Sequence, residues 1–215
     1  MNARARLRGF TRLDRLLGLG LLALAPGFLH GCLATPPEQV ADLCGIFEEK
    51  RGWYRDAKRS ERRWGIPVPV MMAMTHQESS YRARARPPRE KLLWVIPWTR
   101  PSSAYGYAQA TNEAWRDYVR ATGRGGADRN DFGDAIDFVG WYNRRSADLI
   151  GLPRNDAYSL YLAYHDGPTG FRRGTWKRKG WLKDAARRVQ RRADAYAGQL
   201  ARCEDDLGGP WWWPF

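Results

Sequence analysis

The sequence predicts a single all-α domain, and three observations carry that prediction. Several segments repeat apolar residues at intervals of three and four, the spacing of a helix with one buried face. No stretch shows the alternation of apolar and polar residues that is typical of a strand, and no internal repeat is present. The 215 residues suit one domain plus a leader, and a hydrophobic fraction of 43% supplies enough apolar side chains for a core.

The helical pattern divides into segments joined by short polar connections. The first covers residues 42–64 and is closed by Gly65; Pro67 and Pro69 then lie where a second, apolar helix begins. Further helices are predicted over 112–121, 134–150, 157–164 and 181–203. We expect Leu149 to belong to the core-facing stripe of its helix and Trp181 to pack into the core.

The N-terminal segment, residues 1–31, is typical of an export signal. Five Arg precede an apolar run that is too short and too rich in glycine for a convincing membrane-spanning helix. It ends in Leu29-His30-Gly31-Cys32, which resembles a bacterial lipobox and implies a lipid-modified Cys32. An ordinary secretory signal or an uncleaved anchor is the alternative. Each of these interpretations exports the domain.

The charge of the chain indicates an anionic partner. The formal net charge is +13, and the five Arg and single Asp of residues 1–31 leave +9 on the remainder. Such an excess suits a nucleic acid, an anionic membrane or the acidic stem peptides of a cell wall. Because export separates the domain from nucleic acid, the membrane and the cell wall are the partners that we expect.

Two cysteines, Cys44 and Cys203, lie near the two ends of the expected mature domain. In an oxidising compartment they can form a disulfide, which would attach the N-terminal segment to the last helix. In the chain-entropy model, a disulfide that closes so long a loop stabilises the folded state by about 4–5 kcal/mol. Two unrelated thiols are the alternative.

Glu78 is the candidate catalytic residue because it ends an apolar helix directly before an irregular stretch. Desolvation at such a position disfavours the charged carboxylate and raises its pKa toward about 6, as a general acid requires. Taken alone this is a weak signal, because most Glu residues on helices lie on solvated faces.

Three short motifs in a fixed order strengthen that assignment. They are His-Gln-Glu-Ser-Ser-Tyr at 76–81, Ala-Tyr-Gly-Tyr-Ala-Gln-Ala-Thr at 104–111 and Ala-Tyr-His-Asp-Gly-Pro at 163–168. Together they resemble the soluble-lytic-transglycosylase-like domain, a fold of the lysozyme superfamily, over about residues 45–200. The resemblance implies a lysozyme-like helical domain that cleaves peptidoglycan without a metal or other cofactor.

The resemblance also implies roles for individual residues. Glu78 would act as general acid and then base at the bond between N-acetylmuramic acid and N-acetylglucosamine, which leaves a 1,6-anhydromuramoyl end. Ser79 and Gln109 would contact sugar, and Tyr164 would hydrogen-bond Glu78 or the substrate near it. Gly106 would allow the backbone to approach the glycan closely.

The chain departs from the family pattern at three places. His165 replaces the usual Asn as a substrate-binding residue, the segment around Gln109 carries smaller side chains, and the stretch 82–103 is long. Asp166 is a possible second carboxylate, so a hydrolytic muramidase that uses Glu78 and Asp166 stays an alternative. A non-catalytic peptidoglycan-binding lipoprotein is the other alternative.

The expected organisation is a lipoprotein signal at 1–31, a tether at 32–44, the catalytic domain at 45–203 and an aromatic tail at 204–215. We expect a monomer that binds glycan strands and is anchored in the periplasm through its lipid. Leu33, after the lipidated Cys32, gives no inner-membrane retention signal, so the outer membrane is the expected location.

Overall fold

Seven α-helices account for most of the chain that the computed structural model describes, residues 34–88, 91–92, 96–97 and 102–207. These residues belong to one compact unit. The predicted all-α class is confirmed. In chain order the helices are α1 (Leu43–Glu49), α2 (Arg51–Trp64), α3 (Val68–Ser79), α4 (Asn112–Thr122), α5 (Phe132–Ile150), α6 (Ala157–Arg173) and α7 (Gly180–Leu207).

Three shorter elements lie between these helices in the chain. Strands β1 (Lys91–Leu92) and β2 (Ile96–Pro97) form a two-residue antiparallel pair, and a 3₁₀ helix, Thr175–Arg178, connects α6 to α7. Within the described ranges, no helix is both long enough and apolar enough to cross a membrane.

Side-chain caps and glycines explain where the helices begin and end. Thr111 and Asp131 precede α4 and α5, and each side chain accepts a hydrogen bond from the backbone amide three residues later. Gly65, Gly123 and Gly151 end α2, α4 and α5 in the left-handed conformation, which glycine adopts without steric penalty. These local signals are visible in the sequence, so most boundaries agree with the prediction to within a few residues.

Helix α3 is the centre of the fold and carries Glu78 at its end. Its residues from Val68 to Thr75 are all buried, and it packs against α2, α5, α6 and α7. A helix that is apolar on every side is stable only inside such a shell of neighbours. The packing therefore fixes the position of its last turn, where Glu78 lies.

The N-terminal end of the described chain is attached to the last helix. Cys44 and Cys203 form a disulfide between α1 and α7. The side chain of Gln199 also accepts a hydrogen bond from the Leu43 amide at 2.8 Å and donates one to the Ala41 carbonyl at 3.0 Å. Thus α1 and α7 are joined both covalently and through backbone groups.

Three helix predictions differ from the structure. The expected continuous helix 42–64 breaks at Lys50, whose φ of −113° and ψ of 61° are not helical. The helix that begins at Ala157 continues to Arg173 and bends at Gly167, directly before Pro168, because proline cannot continue the hydrogen-bond ladder. The last helix crosses the expected domain boundary at 203 and ends at Leu207.

Two predictions of burial are wrong. Leu149 is 52% exposed and Trp181 is 57% exposed, whereas both were expected in the core. Leu149 lies in the last turn of α5. Trp181 lies in the first turn of α7 and points away from the buried stripe of that helix.

Several predictions concern residues that the structure does not describe. They are the export signal at 1–31, the lipid-modified Cys32, most of the stretch 89–101, and residues 208–215 of the tail.

Candidate active site

The backbone after Glu78 adopts an unusual conformation. The helix ends one residue later, and Ser80 and Tyr81 both have positive φ angles, 50° and 58°. Non-glycine residues in the left-handed region carry a conformational cost, which persists where surrounding contacts fix the backbone. Tyr81 supplies such contacts: it is buried, and its hydroxyl hydrogen-bonds the Met72 carbonyl at 3.1 Å.

The carboxyl group of Glu78 lies in an environment that favours its protonated form. The residue keeps some solvent-accessible surface, but protein atoms surround the carboxyl group densely. Burial raises its pKa from 4.5 to about 7, and a hydrogen bond with the Tyr161 side chain opposes part of that rise. The negative end of the α3 dipole also disfavours a carboxylate there. A carboxyl group of this pKa can donate a proton near neutral pH and accept it back.

Tyr161 is a site residue that the sequence analysis missed. It is 4% exposed on α6, and its hydroxyl interacts with Glu78. Tyr164, one helical turn later, instead donates its hydroxyl to the Ala108 carbonyl at 2.6 Å. Of the two roles expected for Tyr164, the hydrogen bond to Glu78 therefore belongs to Tyr161. The helical spacing of the two tyrosines is the signal that could have identified it.

The segment Gly106 to Ala110 forms a tight turn, and Tyr164 contacts it through the Ala108 carbonyl. Gln109 has a φ of 47°, and its side-chain amide donates to the carbonyls of Ala85 at 3.0 Å and Gly106 at 2.9 Å. Both donor hydrogens thus hold the turn together. The side-chain oxygen is the group that Gln109 can offer to a sugar hydroxyl.

Gly106 is required for a reason that differs from the expected one. Its φ is +80°, and a Cβ atom on it would lie 2.0 Å from the carbonyl oxygen of Arg129. The close approach is therefore between two protein segments, because the Tyr107 amide also donates to that carbonyl at 3.1 Å. The expectation that Gly106 also lets the backbone approach the glycan stays a prediction.

Ser79 does not offer its hydroxyl to a ligand. It is 1% exposed, and the hydroxyl donates to the Thr75 carbonyl at 3.1 Å within α3. This contradicts the expected sugar contact. The hydrogen bond to the preceding turn instead satisfies a buried polar group next to Glu78.

His165 and Asp166 form a polar cluster with the 3₁₀ segment. The Asp166 side chain is 1% exposed and accepts hydrogen bonds from Thr175 and Lys179, both at 2.6 Å, and it contacts Nδ1 of His165 at 3.0 Å. Burial alone would raise the pKa of Asp166, but these hydrogen bonds outweigh it and leave the pKa below its ordinary value. Because Asp166 is an acceptor, the geometry places the imidazole proton on Nδ1.

Asp166 and Glu78 are not an interacting pair. Neither carboxyl group contributes to the pKa shift of the other. The oxygens of Asp166 are already engaged by Lys179, Thr175 and His165. An arrangement of two carboxylates about one glycosidic bond would need Asp166 free and facing Glu78.

Comparison with known proteins identifies the family. A family model described as a transglycosylase SLT domain matches residues 20–203. Neither the curated proteins nor the solved structures include a significant match to the chain. The matched region contains Glu78, Tyr161 and the Gln109 turn. The chain belongs to the transglycosylase SLT domain family, whose activity on peptidoglycan is of the transglycosylase or lysozyme-like type.

Proposed function

We propose that the protein is a lytic transglycosylase that cleaves the β-1,4 bond between N-acetylmuramic acid and N-acetylglucosamine, with Glu78 as its acid and base. The observation that supports this most directly is a single carboxyl group whose burial raises its pKa to about 7. A group near neutrality can act in both directions within one catalytic cycle.

In the first step, protonated Glu78 donates its proton to the glycosidic oxygen. The bond from that oxygen to the anomeric carbon of the muramic acid breaks, and N-acetylglucosamine leaves with the proton. Positive charge develops on the muramic sugar ring while Glu78 is an anion. The Tyr161 hydroxyl supports this ionised state through its hydrogen bond.

In the second step, the 6-hydroxyl oxygen of the same muramic acid attacks its anomeric carbon. Ionised Glu78 accepts the proton from that hydroxyl and returns to its starting form. The product is a 1,6-anhydromuramoyl end, and no water is consumed. The substrate supplies the nucleophile, so the mechanism does not require a second carboxylate.

The environment of Asp166 favours this route over hydrolysis. Retaining and inverting glycosidases need a second carboxylate as nucleophile or as the base that activates water. The candidate for that role is Asp166, whose carboxylate already accepts hydrogen bonds from Lys179 and Thr175. These bonds keep its pKa below the ordinary value. For substrate contacts we propose the Gln109 side-chain oxygen, the Tyr164 ring and His165.

The test is mass spectrometry of muropeptides that the purified protein releases from sacculi. We expect ends that are lighter by one water than reducing muramic acid, and no release by Glu78→Gln. The matched variant Asp166→Asn should still give anhydro ends. Reducing ends that disappear in Asp166→Asn would establish the muramidase, and no release by folded wild-type protein would establish a binding role.

We also propose that the protein is exported and lipid-anchored through Cys32, in the periplasm at the outer membrane. The lipobox-like sequence supports this. Metabolic labelling with a radioactive fatty acid should mark the wild-type chain and not Cys32→Ala. Equal labelling of both chains would contradict the proposal, and fractionation of the two membranes tests the location.

A further inference from the structure

Trp181 is one of two large hydrophobic side chains that are exposed in the described part of the chain. It is 57% exposed and has one aromatic neighbour, His165, whose ring lies edge-on at 4.8 Å. The His165 side chain is itself 38% exposed. The indole therefore keeps a large part of its surface available to a ligand, next to a partly exposed imidazole.

The pair lies beside the catalytic centre. Tyr161, which contacts Glu78, and His165 are four residues apart on α6, before its bend at Gly167. Side chains at this spacing are neighbours on one helix face, about 6 Å apart along the axis. The His165 ring in turn touches Trp181. The pair therefore lies one helical turn along α6 from the residue that contacts Glu78.

A second observation places the same face of α7 next to Tyr161. Arg188 is exposed; burial and Glu78 raise the pKa of Tyr161, and the charge of Arg188 opposes part of that rise. Trp181 and Arg188 lie two helical turns apart, and residues at that spacing share a helix face. This face of α7 therefore carries both the Trp181 indole and a cation whose charge acts on Tyr161.

We propose that Trp181 and His165 form a carbohydrate-binding subsite that holds a sugar of the peptidoglycan strand outside the bond that is cleaved. The inference rests on the proposed function. It adds that the protein contacts the glycan strand beyond the two sugars on either side of the cleaved bond. The apolar face of a pyranose ring packs on the indole. Nε2 of His165, which is the free nitrogen when Nδ1 contacts Asp166, accepts a hydrogen bond from a sugar hydroxyl or amide.

The His165 ring is held in place for this role. Asp166 contacts Nδ1, and Lys179 and Thr175 in turn fix Asp166. Lys177, Arg178 and Arg188, close to Trp181 in the sequence, are exposed cations, which suits a strand that carries acidic stem peptides. A single indole among polar groups favours a sugar ring over a lipid surface, which would require a wider apolar patch.

The first experiment measures binding without cleavage. In the Glu78→Gln background, isothermal titration calorimetry with soluble uncrosslinked glycan strands should give a dissociation constant about five- to tenfold larger for Trp181→Ala. Trp181→Tyr, which keeps a flat ring, should recover part of the affinity. Leu149→Ala is the matched control, because Leu149 is 52% exposed on α5 and should leave binding unchanged.

The second experiment measures cleavage in the otherwise wild-type protein. Trp181→Ala should lower kcat/KM on long strands and leave the shortest cleavable strand unaffected, because that strand does not reach the subsite. Equal affinity and equal kcat/KM for Trp181→Ala and Leu149→Ala would overturn the inference. Loss of binding to phosphatidylglycerol vesicles, with glycan binding intact, would overturn it in favour of a membrane contact.

The two proposals can fail separately. Anhydro ends with no effect of Trp181→Ala would remove the subsite and keep the transglycosylase. Trp181-dependent glycan binding without any cleavage by the wild-type protein would keep the subsite and remove the transglycosylase. Thermal unfolding of each variant checks that the exposed substitution leaves the fold intact.

Discussion

At the residue scale, the chemistry depends on how one carboxyl group is balanced between two influences. Burial raises the pKa of Glu78, and the hydrogen bond from Tyr161 lowers it, with a result of about 7. Each influence comes from a different helix: burial from the packing around α3, and the hydroxyl from α6. Separate substitutions can therefore change them one at a time.

The first prediction concerns Tyr161→Phe. Removing the hydroxyl removes a hydrogen bond that favours ionised Glu78, so the pKa of Glu78 should rise further. The alkaline limb of the kcat/KM profile, which reports loss of the catalytic proton, should move up by about one pH unit. Tyr164→Phe is the control, because its hydroxyl bonds the Ala108 carbonyl. A limb that moves equally in both variants would contradict the assignment.

The second prediction concerns stability in Glu78→Gln. The folded pKa of about 7 lies above the unfolded value of 4.5, so folding binds a proton more tightly. Stability from this group is complete below pH 4.5 and is lost as the pH rises through 7. The variant should therefore match the wild type at pH 4 and exceed it by about 2–3 kcal/mol at pH 8.

Urea unfolding at several pH values measures this difference. Glu48→Gln, at an exposed position on α1, should run parallel to the wild type throughout. A constant offset for Glu78→Gln would mean that burial does not disfavour the charged form.

At the scale of elements, the site depends on the turn from Gly106 to Ala110 as much as on helices. Gly106 must have φ of +80° so that the Tyr107 amide can reach the Arg129 carbonyl, and Gln109 closes the turn with its side chain. Tyr164 then attaches α6 to this turn through Ala108. The position of this turn is therefore set by its contacts with the Arg129 loop and with α6.

The third prediction tests that arrangement. Gly106→Ala should lower the free energy of unfolding by about 3 kcal/mol or more, because the added Cβ would lie 2.0 Å from a backbone oxygen at a positive φ. Gly123→Ala has a similar φ of +71° but open space around its Cβ, so it should cost about 1–2 kcal/mol. Equal losses in chemical denaturation would show that the Arg129 carbonyl is not the cause.

At the scale of the whole molecule, the ends of the described chain are joined. The Cys44–Cys203 disulfide links residues separated by 159 positions, and the hydrogen bonds of Gln199 support the same junction. Helix α7 in turn packs along α3, the helix that carries Glu78. The junction therefore supports the helix against which α3 packs.

The fourth prediction is that Cys44→Ala with Cys203→Ala lowers the free energy of unfolding by about 4–5 kcal/mol, mainly because the unfolded chain regains freedom. Reduced wild-type protein should show the same loss in urea unfolding. The pKa of Glu78 should stay unchanged, because its causes lie in α3 and α6. A shift of the alkaline activity limb in the double variant would mean that the junction also shapes the site.

The sequence by itself determined the features that depend on neighbouring residues. Apolar spacing gave the all-α class, glycines such as Gly65 marked helix ends, and the motif around Glu78 identified the candidate acid. These signals are local, because helix geometry and capping involve residues within a few positions of one another. The positions of Cys44 and Cys203 in the sequence also indicated the disulfide, which the structure contains.

Only the tertiary structure decided which distant residues meet. It placed Tyr161 at Glu78, the Arg129 carbonyl against Gly106, and Trp181 beside His165 in solvent. It also tied Asp166 to Lys179. Helical periodicity gives the direction of a side chain relative to its own helix and leaves its partner open. The partner is fixed by how whole helices and loops pack, which is why the pKa of the Glu78 carboxyl group is a property of the fold.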